Sequence, residues 1–215
     1  MQRQDEGLPQ AGEFFQLEPD VRRGGKGHGV MFENVASLLT PPRAVLRPRN
    51  GGFPALKETP RLTYHPDQGS PPQDLEGGMS GYWLVSDRLR QVMEDIDAGA
   101  FAFAEVHYEA SDGGMAGGYS LCDVTRTLDA LNEGMSVLNI EVSDEFEAGK
   151  FYDLTGEVRL AFHPEVLRGA HVFRLAFHGG VFCDRVFRSA VEKAGVISSR
   201  QSNGLWFYDV GGSER

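Results

Sequence analysis

Only two cysteines, Cys122 and Cys183, occur in 215 residues. They allow one bridge at most, so no disulfide scaffold holds the chain and a reducing cytoplasm is the expected location. No apolar run approaches the roughly 20 residues that cross a bilayer as a helix, and the opening Met1-Gln2-Arg3-Gln4-Asp5-Glu6 has no apolar core behind it, which reads against a secretory signal. The Asn-x-Ser/Thr acceptor is missing too, in keeping with that location. Chemical motifs are equally scarce. There is no Cys-x-x-Cys, no Gly-x-Ser-x-Gly elbow and no Gly-x-Gly-x-x-Gly behind a strand. His163, His171 and His178 stand eight and seven apart, a spacing that fits neither a helical pair nor a zinc site. The glycine-rich Arg22 to Gly29 lacks the Gly-Lys-Ser/Thr order of a phosphate loop and reads as a mobile loop. The expectation is a chain with no catalytic set, no cofactor and no metal.

What is present is enough apolar material for one good core: 40% apolar residues, with 14 Phe and 2 Trp. The most informative pattern is a phrase that occurs twice. Trp83-Leu84-Val85-Ser86-Asp87-Arg88-Leu89 and Val181-Phe182-Cys183-Asp184-Arg185-Val186-Phe187 each run from a strand-like apolar stretch into a helix, with Asp87 and Asp184, 97 residues apart, as the expected caps. Leu89, Val92, Met93 and Ile96 recur at helical spacing, and so do Val186, Ala190, Val191 and Ala194. Gly99 and Gly195 stand where the helices should stop, and Phe101-Ala102-Phe103-Ala104 and Leu205-Trp206-Phe207-Tyr208 follow as strands. These two strand-cap-helix-strand modules span 82–109 and 181–210.

Elsewhere strands are expected at 13–18, 101–108, 137–142, 156–162 and 171–177, with a hairpin loop over 112–118. Residues 119–131 read as a strand followed by a turn or short helix through Val124, Leu128 and Leu131. Prolines crowd the stretch from Pro41 to Pro72, which therefore reads as extended connection. The fold class is α+β with a mixed, mainly antiparallel sheet. The expected organisation is an N-terminal strand and loop region over 1–50 and a single domain over 51–215.

Charge is unevenly placed. The net charge is −10, yet residues 94–157 alone carry 15 acidic side chains against Arg126 and Lys150, a local −13. Such a field repels nucleic acid and anionic membranes and attracts a basic protein partner. The plainer reading is a solvated face. If the face binds, the residues expected to do so are Glu94, Asp95, Asp97, Glu105, Glu109, Asp112, Glu141, Asp144, Glu145 and Glu147. Cys183 is the best candidate nucleophile, since it precedes a helix whose dipole would favour a thiolate; its counterpart Ser86 suggests a small packed residue instead. A hydrolase or transferase using Cys183 or the histidines, or an assembly scaffold, is the alternative to a binding protein.

The run Gly81-Tyr82-Trp83-Leu84-Val85-Ser86-Asp87-Arg88-Leu89 behind Pro72 and Asp74, then Phe182-Cys183-Asp184-Arg185, then Gly204-Leu205-Trp206-Phe207, resembles the bacterial immunity family numbered eleven across roughly residues 50 to 210. Phe14 to Pro19 is similar to that family's opening strand. The resemblance implies an antidote that binds a secreted polymorphic toxin in the producing cell's cytoplasm, and it supplies no catalytic residues.

Overall fold

A computed structural model describes residues 8–22, 27–110 and 118–212. In chain order the elements are β1 (Phe14–Pro19), β2 (Val30–Phe32), α1 (Val35–Leu38), β3 (Arg61–Tyr64), β4 (Leu75–Met79), β5 (Tyr82–Ser86) and α2 (Asp87–Asp97). After a 3-10 turn at Ala98–Ala100 come β6 (Phe101–Glu105), β7 (His107–Glu109), β8 (Tyr119–Val124), β9 (Thr127–Leu128), β10 (Asn139–Val142) and β11 (Lys150–Asp153). The remainder is α3 (Pro164–Leu167), β12 (Val172–Leu175), β13 (Val181–Asp184), α4 (Arg185–Lys193) and β14 (Leu205–Asp209). The fold is α+β with mainly antiparallel pairing, as the alternation and turn chemistry of the sequence imply.

The described chain divides into two compact units. The first unit comprises 8–18, 126–189 and 207–212; the second comprises 19–125 and 190–206. The first holds a five-stranded sheet, ordered β14-β1-β13-β12-β9, and the two-stranded β10-β11. Its core is aromatic, with Phe162, Phe173 and Phe182 in mutual ring contact and Tyr152 and Leu175 fully buried around them. The second holds β2-β3-β7 and the four-stranded β4-β5-β8-β6. There Tyr82, Leu84, Leu62 and Leu121 form the centre of the core.

The repeated phrase folds twice into the same sheet order. A hairpin, β4-β5 or β12-β13, is followed by a third strand and then by the strand that comes after the helix. The third strand is β8 in one case and β1 in the other. Because β8 pairs antiparallel with both β5 and β6, those two strands run parallel, and α2 is the connection that parallel strands require. The inserted strand follows its module in sequence in one copy and precedes it in the other, so the two copies are related by circular permutation.

The first cap differs from expectation. Ser86, with extended backbone at φ −70° and ψ 157°, accepts the Leu89 N–H at 3.3 Å, and Asp87 is the first helical residue. A capping oxygen must come from the non-helical residue before the helix, so Asp87 is not the cap; its charge lies near the positive helix end and its carboxylate sits against Gly118. In the second module Asp184 Oδ1 accepts the Phe187 N–H at 3.0 Å. At the far end of α4, Gly195 adopts φ +71° and donates to Glu192, while Val196 N–H reaches back to Val191 C=O at 3.2 Å. This paired closure with a left-handed glycine explains why that helix stops there.

Other expectations also shift. Val124 to Leu131 forms no helix: Thr127 and Leu128 pair parallel with Arg174 and Leu175 as β9. The expected strand over 156–162 enters only through isolated bridges, Val137 to Arg159 and Leu131 to Phe162. The short β2 and α1 fall within the stretch expected as an N-terminal strand and loop region. The hairpin loop anticipated over 112–118 lies outside the described residues except for Gly118.

Candidate functional site

Five acidic side chains of the 94–157 tract follow Glu133 closely enough in chain to share one local structure: Glu141, Asp144, Glu145, Glu147 and Asp153 all fall on the β10-β11 hairpin or its turn. The pairing is regular, Asn139 with Asp153, Ile140 with Tyr152, Glu141 with Phe151 and Val142 with Lys150. The turn is a built structure. Phe146 N–H donates to Ser143 C=O at 3.2 Å, Ser143 Oγ accepts the Glu145 N–H at 3.1 Å, and Gly149, at φ +75°, donates to Phe146 C=O at 2.9 Å. The Phe146 ring lies 5.8 Å from that of Phe151. These contacts leave Asp144, Glu145 and Glu147 exposed at the tip, with Glu141 exposed on the strand. Val142 is 79% exposed beside them, and Met135 and Val137, just upstream, are 37% and 40% exposed.

One cation is committed to holding the base of this hairpin. Lys150 Nζ contacts the Glu133 carboxylate and lies 4.2 Å from the Phe177 ring centre, while Tyr152 donates its hydroxyl to the same carboxylate at 2.7 Å. Hydrogen bonding to Glu133 raises Lys150 to about 12, and burial raises Tyr152 to about 12 with Glu133 adding to it. Glu133 is lowered by the same two partners. Lys150 therefore stays charged and locked at Glu133. Among the described residues Glu141, Asp144 and Glu145 form no ion pair.

The other expected residues are placed differently. Glu94, Asp95, Asp97, Glu105 and Glu109 belong to the second unit, and the hairpin acids belong to the first. Arg90 binds Glu94 at 2.9 Å and Glu105 at 2.5 Å, and also donates to Ser120 at 2.9 Å. Two of the expected binding charges are thus paired with Arg90 at the surface, Glu105 with its side chain 74% exposed. Asp95 accepts from Gln91 at 2.8 Å on the exposed side of α2, and Glu109 is exposed on β7. Asp112 lies outside the described residues. Asp123, also within the tract, is a buried structural acid: it binds Arg47 Nε at 2.6 Å and accepts the Gly52 N–H at 2.6 Å.

Cys183 is fully buried, between Phe15 of β1 and Val172 of β12 in the sheet register, and burial drives its thiol well above the ordinary range. A protonated, enclosed thiol is no nucleophile. His171 Nδ1 is 2.7 Å from Asp184, so that histidine orients the helix-capping carboxylate. A groove of about 710 Å³ between residues 8–14 and 160–167 is lined by Phe14, Leu160, Phe162, His163 and Glu165 among others and carries no Ser, Thr or Cys. No group of three or more metal-ligating side chains is assembled among the described residues, and none of the described helices is long and apolar enough to cross a membrane.

Residues 13–212 match the Immunity protein family (Imm11). The chain belongs to the Imm11 family. The match covers the resemblance read over 50–210 and at the opening strand β1, and adds the 20–50 segment between them. Curated proteins give no match to the chain. Imm11 membership carries an immunity function and a toxin as partner. In this Imm11 chain Glu141, Asp144 and Glu145 of the β10-β11 hairpin are exposed acids that form no ion pair among the described residues.

The hairpin abuts a histidine that reports on pH. His178 Nδ1 accepts the Gly180 N–H at 3.1 Å, its ring lies 5.9 Å from that of Phe151, and burial lowers its pKa below the ordinary 6.5 against the opposing pull of Asp153. A histidine whose folded pKa is depressed lends stability at pH values above its unfolded pKa and loses it as pH falls through and below about 6.5, because the unfolded chain takes up a proton that the native ring resists. Urea unfolding is expected to show a stability loss from pH 7.5 to pH 5.5 that is smaller in His178→Gln than in the parent chain. An unchanged slope would show that the ring is not the titrating group.

Proposed function

We propose that this Imm11 protein neutralises a basic toxin by binding it in the cytoplasm of the producing cell, with the acidic hairpin supplying the charged part of the contact. The single observation behind this is the arrangement at β10-β11: Glu141, Asp144 and Glu145 are exposed without ion pairs, next to the exposed Val142, on a turn fixed by its own hydrogen bonds. A face that only kept the chain soluble would not need a rigid scaffold. Inhibition requires only that the partner's active cleft, or the path to it, be covered. Complementary charge then provides speed and selectivity more than raw affinity. Asp95, Asp97 and Glu109 of the second unit remain secondary contact candidates, whereas Glu94 and Glu105 are less available because Arg90 already holds them. The deciding experiment is co-expression with a toxin whose gene is found beside the gene for this chain. Growth restored by the protein supports neutralisation; continued arrest with the protein folded and present removes it.

A further inference from the structure

One edge of the hairpin is open. In an antiparallel pair, successive residues direct their N–H and C=O alternately toward the partner strand and away from it. Tyr152, opposite Ile140, donates its N–H to Phe177 C=O at 2.9 Å, away from β10. Ile140 and Tyr152 are therefore a pair that exchanges no hydrogen bonds, and Glu141 and Phe151 are a pair that does. The Ser143 N–H to Gly149 C=O bond, 3.2 Å, continues the alternation into the turn. Upstream, Val137 exchanges bonds with Arg159 at 2.7 and 2.9 Å, in phase with Asn139 and Glu141. The backbone groups of Ile140 and Val142 consequently point outward from β10, and no other described residue bonds them. Phe177 closes the far edge of β11; nothing described closes the edge of β10.

We propose that this edge accepts an extended strand of the toxin, which adds a third strand beside β10, and that the strand alternates apolar and basic residues. The inference rests on the neutralisation reading and adds the mode of contact. Side chains of neighbouring strands share a face at matching positions. Residues set against Ile140 and Val142 would meet apolar surface, since Val142 is 79% exposed. Residues set against Glu141 would meet a carboxylate, with Asp144 and Glu145 at the end of the strand. Charge selects this occupant over a second copy of the chain: antiparallel self-pairing that matches the outward groups of Ile140 to those of Val142 would set Glu141 against its own counterpart, and like charges across a ladder destabilise it. Acids along an edge also discourage aggregation. That role alone predicts that no strand binds.

The test uses the whole protein with a synthetic peptide of alternating valine and lysine, and a valine-glutamate peptide as control. Val142→Pro removes only an outward N–H, and the preceding Glu141 is already extended, so the fold tolerates it; Val142→Thr keeps both the N–H and the branched shape. The lysine peptide is expected to slow hydrogen exchange at the Ile140 and Val142 amides by about tenfold in the parent chain and at the same two positions in Val142→Thr. In Val142→Pro the Ile140 protection should vanish with an unchanged melting temperature. The glutamate peptide should do nothing. Protection centred elsewhere, peptide binding indifferent to Val142→Pro, or a sedimenting dimer that protects the same amides without peptide would each overturn the proposal. In cells the two readings separate: equal rescue by Val142→Pro and the parent chain removes the strand contact and leaves neutralisation standing, while failure of the parent chain to rescue removes neutralisation, and the peptide result still decides the edge.

Discussion

Asp123→Ala is expected to destabilise the protein by about 3 kcal/mol, the low end of the cost of breaking a buried charge pair, and to lower its melting temperature by roughly 6 to 12 °C for a chain of this size. The Asp123 side chain is completely buried, and both carboxylate oxygens are in use, one on Arg47 and one on the Gly52 N–H. Its removal leaves Arg47, only 23% exposed, without its partner and the Gly52 N–H without its acceptor. The damage spreads locally, because Gly52 C=O accepts the Tyr82 hydroxyl at 3.1 Å and the Tyr82 ring stacks on Phe53 at 4.4 Å. Asp123 therefore fastens the proline-rich connection to strand β8. Adding Arg47→Met to Asp123→Ala should recover part of the loss, since no lone cation then remains. Urea or thermal unfolding of the three variants measures this. A loss under about 1 kcal/mol, within the range of an exposed pair, would show that water already reaches the carboxylate.

That residue also shows where sequence reading stops. Asp123 stands 76 positions from Arg47 and looks from its neighbours like one more charge in an acidic tract. Only the fold brings the two together, so the tract's formal −13 overstates the charge available to a partner. Arg90 partly offsets two more carboxylates at the surface, and Glu94, four residues beyond Arg90, is legible as a helical pair. The two strand-helix-strand modules follow from apolar spacing and glycine stops, because helix and strand periods differ and each had a full-length signal. The cap in the first module was misplaced by one residue because Ser and Asp are both good caps and sit side by side; backbone geometry decides between them. Strand β11 went unseen because Lys150-Phe151-Tyr152-Asp153 has too little alternation to stand out, and its strand character comes from pairing with β10. The consequence for the site is direct. Without β11 the sequence shows a run of acids, and with it they become the turn and outer strand of a hairpin.

Reversing Glu141, Asp144 and Glu145 to lysine is expected to slow association with a basic toxin by roughly a hundredfold at low salt, within the 10- to 1,000-fold range of electrostatic steering. The melting temperature should stay nearly constant, since exposed acids without ion pairs contribute little to stability. Salt should act on the parent chain in the same direction. Between about 0.01 M and 0.15 M the screening length falls from roughly 30 Å to 8 Å, so association should slow while dissociation changes much less. Glu94→Lys with Glu105→Lys is the contrasting pair. Those carboxylates sit on Arg90, and placing two cations there opposes its charge directly, so the main effect should be on stability instead of association rate. Stopped-flow association and thermal melting distinguish the two sets. If reversal at the hairpin leaves the rate and its salt dependence untouched, steering does not come from β10-β11, and the acids there serve only to keep an exposed strand edge from pairing with copies of itself.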